Sequence, residues 1–99
     1  DEGFTAGFGY NDASALSFYS LLAQCGRRIP QDFSVVGFDD IAVSRLATPP
    51  LTTIRVNRQR IVELSIALLD RLAGLDPGTR LEETLPTDLV FRSSAYIRR

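Results

Sequence analysis

Short apolar runs alternate with polar, turn-forming segments along the first half of the chain. Residues 33–38, Phe-Ser-Val-Val-Gly-Phe, form one such run, which ends on two carboxylates, Asp39 and Asp40. Buried parallel strands are almost continuously apolar, and ligands of open α/β sheets bind beyond the carboxyl ends of the strands. The pattern therefore predicts a buried strand whose end opens into a polar crevice around Asp39.

A strand and a helix are predicted to precede this run. Residues 4–10 carry aromatic and small side chains without helical spacing, and Asn11 and Asp12 are favoured residues at a helix start. The helix is predicted over 12–25, because Gly26 is a favoured residue just beyond a helix C-terminus. With the apolar run, these segments predict a β-α-β unit with parallel strands and a right-handed crossover.

The helix over 12–25 is apolar around most of its circumference. One face holds Ala15, Leu16, Tyr19, Leu22 and Ala23, and Phe18, Leu21 and Cys25 extend it around the cylinder. A helix of this kind has two faces to bury. We expect one face to pack on the sheet and the other to meet a second subunit or domain.

The second half of the chain predicts a short helix, two strands and a second long helix. Residues 41–48 allow about two helical turns before a double proline. Residues 51–56 are rich in β-branched side chains and predict a strand, and Asn57 can cap an amphipathic helix that continues to residue 73. A strand is predicted over 84–92, and its proline places it at a sheet edge or a crossing point.

Composition removes several classes of function. The net charge of −1 provides no basic excess for nucleic acid, and no apolar run approaches the roughly 18–20 residues that span a bilayer. With no histidine and one cysteine, Cys25, we expect no metal site, no internal disulfide and no Cys/His nucleophile. The absence of lysine excludes Schiff-base chemistry and a phosphate-binding P-loop. We expect no cofactor, and we expect Cys25 to be buried as a small apolar group.

The two adjacent carboxylates also allow an enzymatic interpretation. In hydrolases one carboxylic acid protonates the leaving group while a second acts as base or nucleophile. Asp39 and Asp40 are adjacent at a strand end and tend to point in different directions, so they are poorly placed to share one reacting bond. A receiver domain would need a lysine near its acidic cluster. We therefore predict no catalytic residues and no enzymatic activity.

Several polar residues allow both a structural and a binding interpretation. From the pattern alone, Asn11 is either a helix cap or a ligand contact, and Asp39 is either a loop residue or a ligand contact. Together a carboxylate and an amide can accept hydrogen bonds from a polar ligand and donate hydrogen bonds to it. Asp40 is interpreted as the start of the next helix, and the pair Arg27 and Arg28 as solvated.

Four motifs in order along the chain resemble the C-terminal part of LacI/GalR-type bacterial transcription regulators. They are Asn11-Asp12 at a helix start, Ile-Pro-Gln-Asp-Phe-Ser-Val-Val-Gly-Phe-Asp-Asp over 29–40, Thr-Pro-Pro-Leu-Thr-Thr-Ile over 48–54, and Leu-Pro-Thr-Asp-Leu-Val over 85–90 with the Arg-Ser that follows. The resemblance covers about residues 4–94. It implies an α/β fold, a partial periplasmic-binding-protein-like (type I) domain, in which two lobes are joined by three crossing strands around a ligand cleft.

The resemblance also implies roles for particular residues. Asn11 and Asp39 would line the effector pocket from the C-terminal lobe. The predicted helices would form a homodimer interface that comprises Ala15, Phe18, Tyr19, Leu22, Val43 and Leu46. The expected partners are a sugar-like small molecule and a second copy of the chain.

The 99 residues would then be a C-terminal fragment of an effector domain. Residues 4–56 and 85–94 would form the C-terminal lobe and hinge strands, and 57–84 would belong to the N-terminal lobe. DNA would be bound only by a helix-turn-helix domain that the 99 residues lack. The predicted function is the effector-sensing and dimerising part of a cytoplasmic regulator without membrane contact. The alternative is a fragment of a periplasmic sugar-binding transport protein, which shares the fold.

Overall fold

A computed structural model describes residues 3–96 of the chain. Its elements follow in the order β1 (Ala6–Phe8), α1 (Asp12–Gln24), β2 (Ser34–Val36), α2 (Ala42–Leu46), β3 (Thr53–Arg55), α3 (Arg58–Leu72) and β4 (Asp88–Val90). The chain divides into two compact units, one made of residues up to 55 and from 88 onward, the other of residues 56–87. Each predicted strand and helix is present, and the strands are shorter than predicted.

The predicted β-α-β unit is confirmed. Strands β1 and β2 are parallel, in a register that pairs Ala6 with Ser34 and Phe8 with Val36. Helix α1 connects them and packs on one side of the pair. The buried apolar side chains form a small core of Ala15, Leu22, Phe33, Val35 and Leu51. Because the two strands are parallel, their carboxyl ends lie at the same edge of the sheet.

Both predicted ends of α1 are confirmed. Asn11 is the N-cap, and its Oδ1 accepts a hydrogen bond from the backbone N–H of Ser14 at 2.8 Å. At the other end, Gly26 has a φ of +71°, and the N–H of Arg27 donates to the carbonyl of Leu22 at 2.8 Å. A residue at positive φ followed by this backward bond is the usual glycine termination of a helix. The interpretation of Cys25 as a buried group is wrong, because this residue ends the helix and is exposed.

The second sheet consists of β3 and β4, which are antiparallel. An isolated parallel bridge between Val36 and Thr52 joins β2 to the start of β3. Among residues 3–96, β4 pairs with β3 alone, as expected for an edge or crossing strand. Its hydrogen-bonded part begins at Asp88, later than predicted, since Pro86 has no N–H to donate to the ladder.

The unit of residues 56–87 consists of α3 and a following segment of turns and irregular backbone. Asn57 caps α3 as predicted, with its Oδ1 accepting from the N–H of Arg60 at 3.0 Å. No residue of α3 is buried, and the apolar side chains of Ile61, Ile66 and Leu69 are exposed. None of the helices in the described part of the chain has the length and apolarity needed to cross a membrane.

Candidate ligand-binding site

Two polar side chains meet where the parallel strands end. Asn11 follows β1 and Asp39 follows β2, so parallel pairing brings both to one edge of the sheet. There they line an open depression of about 400 Å³ together with Tyr10 and Phe38. The structure therefore brings together the two residues that the sequence singled out for ligand contact.

Asn11 has a structural role at this edge. Its Oδ1 accepts the hydrogen bond that caps α1. A helix cap is one of the two roles that the sequence allowed for Asn11. An asparagine amide also carries two N–H donors on Nδ2. A ligand in the depression would therefore meet Asn11 through Nδ2, while Oδ1 holds the side chain in a fixed orientation.

The backbone at Asp39 turns sharply. Asp39 and Asp40 have φ values of +117° and +57°, and successive positive φ values are uncommon for residues other than glycine. The N–H of Asp39 donates to the carbonyl of Ile54 at 2.8 Å, and Asp39 forms an isolated bridge with Arg55. The loop that carries Asp39 is thus attached to β3 by its backbone.

Asp40 is an ion-pair centre and not a helix cap. Its Oδ2 accepts from Nε of Arg55 at 2.9 Å and its Oδ1 from Nη2 of Arg92 at 2.8 Å. The N-cap of α2 is Ile41, which has no side chain able to cap. Burial alone would raise the pKa of Asp40, but the hydrogen bonds and charges of Arg92 and Arg55 outweigh it and hold that pKa below its usual value.

Arg92 is itself held in place. Its Nη1 donates to the carbonyl of Leu51 at 2.9 Å, and its backbone N–H donates to Oγ1 of Thr52 at 2.9 Å. The side chains of Asp40 and Arg92 are only 11% and 12% exposed, whereas that of Arg55 is 54% exposed. The pair with Arg92 is therefore the sheltered one, and the pair with Arg55 is open to solvent.

Asp12, which the sequence marked only as a residue at a helix start, lies completely buried beneath the site. Its carboxylate accepts hydrogen bonds from the N–H of Ile41 at 2.9 Å and from the hydroxyls of Ser44 and Thr53. Its backbone N–H donates to the carbonyl of Phe38 at 2.9 Å. One side chain thus joins the start of α1 to α2 and to β3. No sequence pattern separates this aspartate from an ordinary one in a first helical turn.

Two aromatic residues at the site were missed by the sequence reasoning. Tyr10 and Phe38 line the depression beside Asn11 and Asp39, and Tyr10 is 88% exposed. A signal existed in the sequence, since each aromatic residue directly precedes a polar candidate. An exposed aromatic face beside a carboxylate offers an apolar surface next to a hydrogen-bond acceptor.

The residues expected at a dimer interface fall into two groups. Ala15 and Leu22 belong to the core of this chain and are 1% and 6% exposed, so their assignment to an interface is corrected. Tyr19 is partly buried, which raises its pKa, and its hydroxyl donates to the carbonyl of Pro49 at 2.7 Å. The side chains with apolar surface still available are Phe18, Val43 and Leu46.

The arginine pair after α1 is not simply solvated. Arg27 donates from Nη2 to the carbonyl of Phe4 at 3.0 Å, and its guanidinium lies 5.3 Å from the ring centre of Phe33. Arg28 is exposed and forms an ion pair with Asp32 at 3.1 Å. Arg27 borders a larger apolar hollow of about 730 Å³ beside β1 and α1. That hollow is mostly apolar, and it adjoins the Asn11–Asp39 site through Tyr10, which lines both.

Within residues 3–96 no group of three or more histidine, cysteine or acidic side chains could hold a metal ion. The candidate site therefore consists of a carboxylate, an amide and two aromatic rings. Such a set offers both hydrogen-bonding groups and apolar surface to a small ligand.

Comparison with known proteins identifies the family to which this chain belongs. The model of the periplasmic binding protein-like domain matches residues 3–95. The lactose operon repressor of Rhizobium radiobacter is 41% identical over 86 residues, which are 86% of this chain and 74% of that protein. The HTH-type transcriptional repressor PurR of Haemophilus influenzae is 43% identical over 93 residues, which are 91% of this chain and 28% of that protein.

Solved structures agree in fold. A LacI family transcriptional regulator from Enterococcus faecalis with bound ribose matches with a TM-score of 0.77 at 34% identity, over 92% of this chain and 34% of that one. A LacI family regulator from Arthrobacter in complex with lactose matches with a TM-score of 0.75 at 29% identity, over 90% of this chain and 34% of that one. The chain spans about a third of these structures and just over a quarter of the PurR repressors. It belongs to the periplasmic binding protein-like domain family, and within it to the LacI-type transcriptional regulators.

Proposed function

We propose that this chain forms part of the sugar-sensing effector domain of a bacterial transcriptional regulator, with Asn11 and Asp39 as ligand contacts. The observation that carries the proposal is the meeting of these two side chains at the carboxyl ends of two parallel strands, in one depression lined by aromatic rings. Ribose and lactose are bound in two similar LacI family structures. The proposed ligand class is accordingly a small neutral sugar or a related polyol.

The chemistry of the site suits such a ligand. A carboxylate such as that of Asp39 can accept hydrogen bonds from two neighbouring hydroxyls, and Nδ2 of Asn11 can donate to a hydroxyl or ring oxygen. Tyr10 offers an exposed ring against the apolar C–H face of a sugar. Hydrogen bonds to charged groups contribute about 1.5–3 kcal/mol each, so Asp39 would provide the largest single contribution from this chain.

Homodimer formation through Phe18, Val43 and Leu46 is the second part of the proposal. These side chains lie on α1 and α2 and expose apolar surface. Replacing Leu46, which is 79% exposed, by aspartate would place a charge in the proposed contact and should shift the chain toward monomer. Light scattering at matched concentrations checks this. A wild-type chain that is monomeric throughout would exclude the dimer.

The wider role of the protein follows from its relatives. The two curated relatives described above are repressors, which favours a regulator over a transport protein. In this proposal DNA binding resides in a helix-turn-helix domain outside the 99 residues, the protein acts in the cytoplasm, and it has no catalytic activity. Ligand binding would change operator affinity by a coupling of about 1–3 kcal/mol, which is typical of allosteric proteins.

The ligand proposal is tested by isothermal titration of the 99-residue chain with D-ribose, lactose and other common sugars. Replacing Asp39 by alanine should weaken the binding of the best sugar roughly ten- to a hundredfold, because a charged acceptor is lost. The matched control is Asp76→Ala, which removes an exposed carboxylate in the unit of residues 56–87. An affinity that Asp39→Ala leaves unchanged, or a wild-type chain that binds no sugar, would contradict the proposal.

A further inference from the structure

The loop that lines the depression is in a conformation that needs external support. Asp39 and Asp40 both have positive φ, and a non-glycine residue persists in such a strained conformation only where its surroundings hold it. Aspartate tolerates the left-handed region better than most residues, but the φ of +117° at Asp39 lies outside its centre. Contacts from elsewhere in the fold must therefore hold the loop.

The contacts that do so come from the second sheet. The N–H of Asp39 donates to Ile54 in β3. The carboxylate of Asp40 binds Arg55 in β3 with one oxygen and Arg92, two residues beyond β4, with the other. Asp40 therefore connects the neighbouring Asp39, which lines the depression, to β3 and to the segment that follows β4.

We propose that Asp40 is a positioning residue, which holds the Asp39 carboxylate in the depression and couples its occupancy by a ligand to the β3–β4 sheet. The inference rests on the proposed effector function of Asp39. A ligand that binds Asp39 favours the loop conformation that the Asp40 ion pairs require. By linkage, the ion pairs favour ligand binding to the same extent.

Arg92 is the partner that matters for this role. Its pair with Asp40 is sheltered, and Leu51 and Thr52 hold the same arginine from two further directions. Arg55 is more than half exposed, and exposed pairs contribute little because water screens them. Substituting Arg92 should therefore reproduce the loss of Asp40, whereas substituting Arg55 should not.

The first measurement needs no ligand. Hydrogen exchange followed by NMR measures the exchange rates of two backbone amides. The Asp39 N–H, beyond the carboxyl end of β2, donates to the carbonyl of Ile54. The Ser34 N–H, at the opposite end of β2, donates to the carbonyl of Thr5. In Asp40→Asn the exchange at Asp39 should accelerate about tenfold or more, while that at Ser34 changes less than about twofold, since local opening affects only the segment that loses its support.

Two further variants and a control sharpen this measurement. Arg92→Gln should give the same local acceleration as Asp40→Asn, and it provides a second route if one variant folds poorly. Arg55→Gln should have little effect. The matched control is Asp32→Asn, which removes the exposed ion pair with Arg28. The proposal would be overturned if exchange at Asp39 did not accelerate in these variants, or if exchange at Ser34 accelerated equally. Either result would show that Asp40 contributes only general stability.

The second measurement is titration of the same variants with D-ribose. Asp40→Asn and Arg92→Gln should weaken binding about tenfold with Asp39 still present, and Arg55→Gln should bind nearly as the wild type does. Equal affinities in Asp40→Asn and the wild type would overturn the positioning role, even where Asp39→Ala abolishes binding. If D-ribose does not bind the wild-type chain, the proposed function fails for that sugar, and the exchange measurement still decides the role of Asp40.

Discussion

Replacing Asp12 by alanine should remove the main polar connection inside the larger unit. The carboxylate is fully buried and accepts from the N–H of Ile41 and from the hydroxyls of Ser44 and Thr53. These donors belong to the segment before α2, to α2 and to β3. Without the carboxylate, each of them loses its acceptor: the two hydroxyls lie in the buried interior, and the N–H of Ile41 is partly buried.

The cost can be estimated from these contacts. A buried donor that loses its partner costs about 1–3 kcal/mol, and the two hydroxyls can rotate toward other acceptors, which places them near the lower value. The three donors together therefore cost roughly 3–6 kcal/mol. A domain of this size has a free energy of unfolding of about 5–15 kcal/mol. Asp12→Ala should thus remove much of the stability of the fold.

Asparagine at position 12 provides a graded test. It keeps one acceptor oxygen and introduces an N–H₂ group that faces a donor, so Asp12→Asn should cost less than alanine, roughly 1–3 kcal/mol. Urea unfolding followed by circular dichroism gives both values. The control is Asp70→Ala on the exposed surface of α3, for which we expect a change within about 0.5 kcal/mol. A loss below about 1 kcal/mol for Asp12→Ala would refute the idea that this carboxylate organises three elements.

Two further predictions concern the same unit. A methyl group on Gly37 would overlap the carboxylate of Asp12. Gly37→Ala should therefore lower the free energy of unfolding, measured in urea, by about 1–3 kcal/mol. An unchanged midpoint of the urea transition would contradict the close approach of Gly37 to Asp12. The pKa of Asp40 is lowered in the folded state by Arg92 and Arg55, so its ion pairs stabilise the fold above the unfolded pKa of about 3.9 and are lost as the pH falls below it. Between about pH 5 and 2, the melting temperature should therefore fall less steeply with decreasing pH in Asp40→Asn than in the wild type. Identical slopes for the two proteins would contradict this.

The local architecture could be predicted because its determinants lie close together in the sequence. The caps at Asn11 and Asn57, the glycine end of α1 and the parallel β-α-β unit each depend on residues within one element or its neighbour. The same reasoning located Asn11 and Asp39 at one sheet edge, because parallel strands end together. The fold class and the edge that carries the site were therefore accessible from the sequence.

The polar connections beneath the site could not be predicted in this way. Asp12 and Asp40 both resemble helix-start residues, and what distinguishes them is their partners, which lie up to 41 and 52 residues away along the chain. The faces of α1 posed a similar problem. Periodicity showed that two faces were apolar but not which one the chain buries itself. The interface that the family resemblance implied therefore included Ala15 and Leu22, although they form the core.

Ser94 has a consequence for the order in which the fold can assemble. This buried residue lies between β2 and the start of β3: its Oγ donates to the carbonyl of Val35 at 2.6 Å and accepts from the N–H of Thr52 at 2.8 Å, while its carbonyl accepts from the N–H of Val35 at 2.9 Å. The partners are 59 and 42 residues away in sequence. Contacts of such separation close large loops and form slowly. The junction of the two sheets is therefore complete only once Ser94 has joined Val35 and Thr52, although Gly37 and Asp39 already pair with residues 52 and 54.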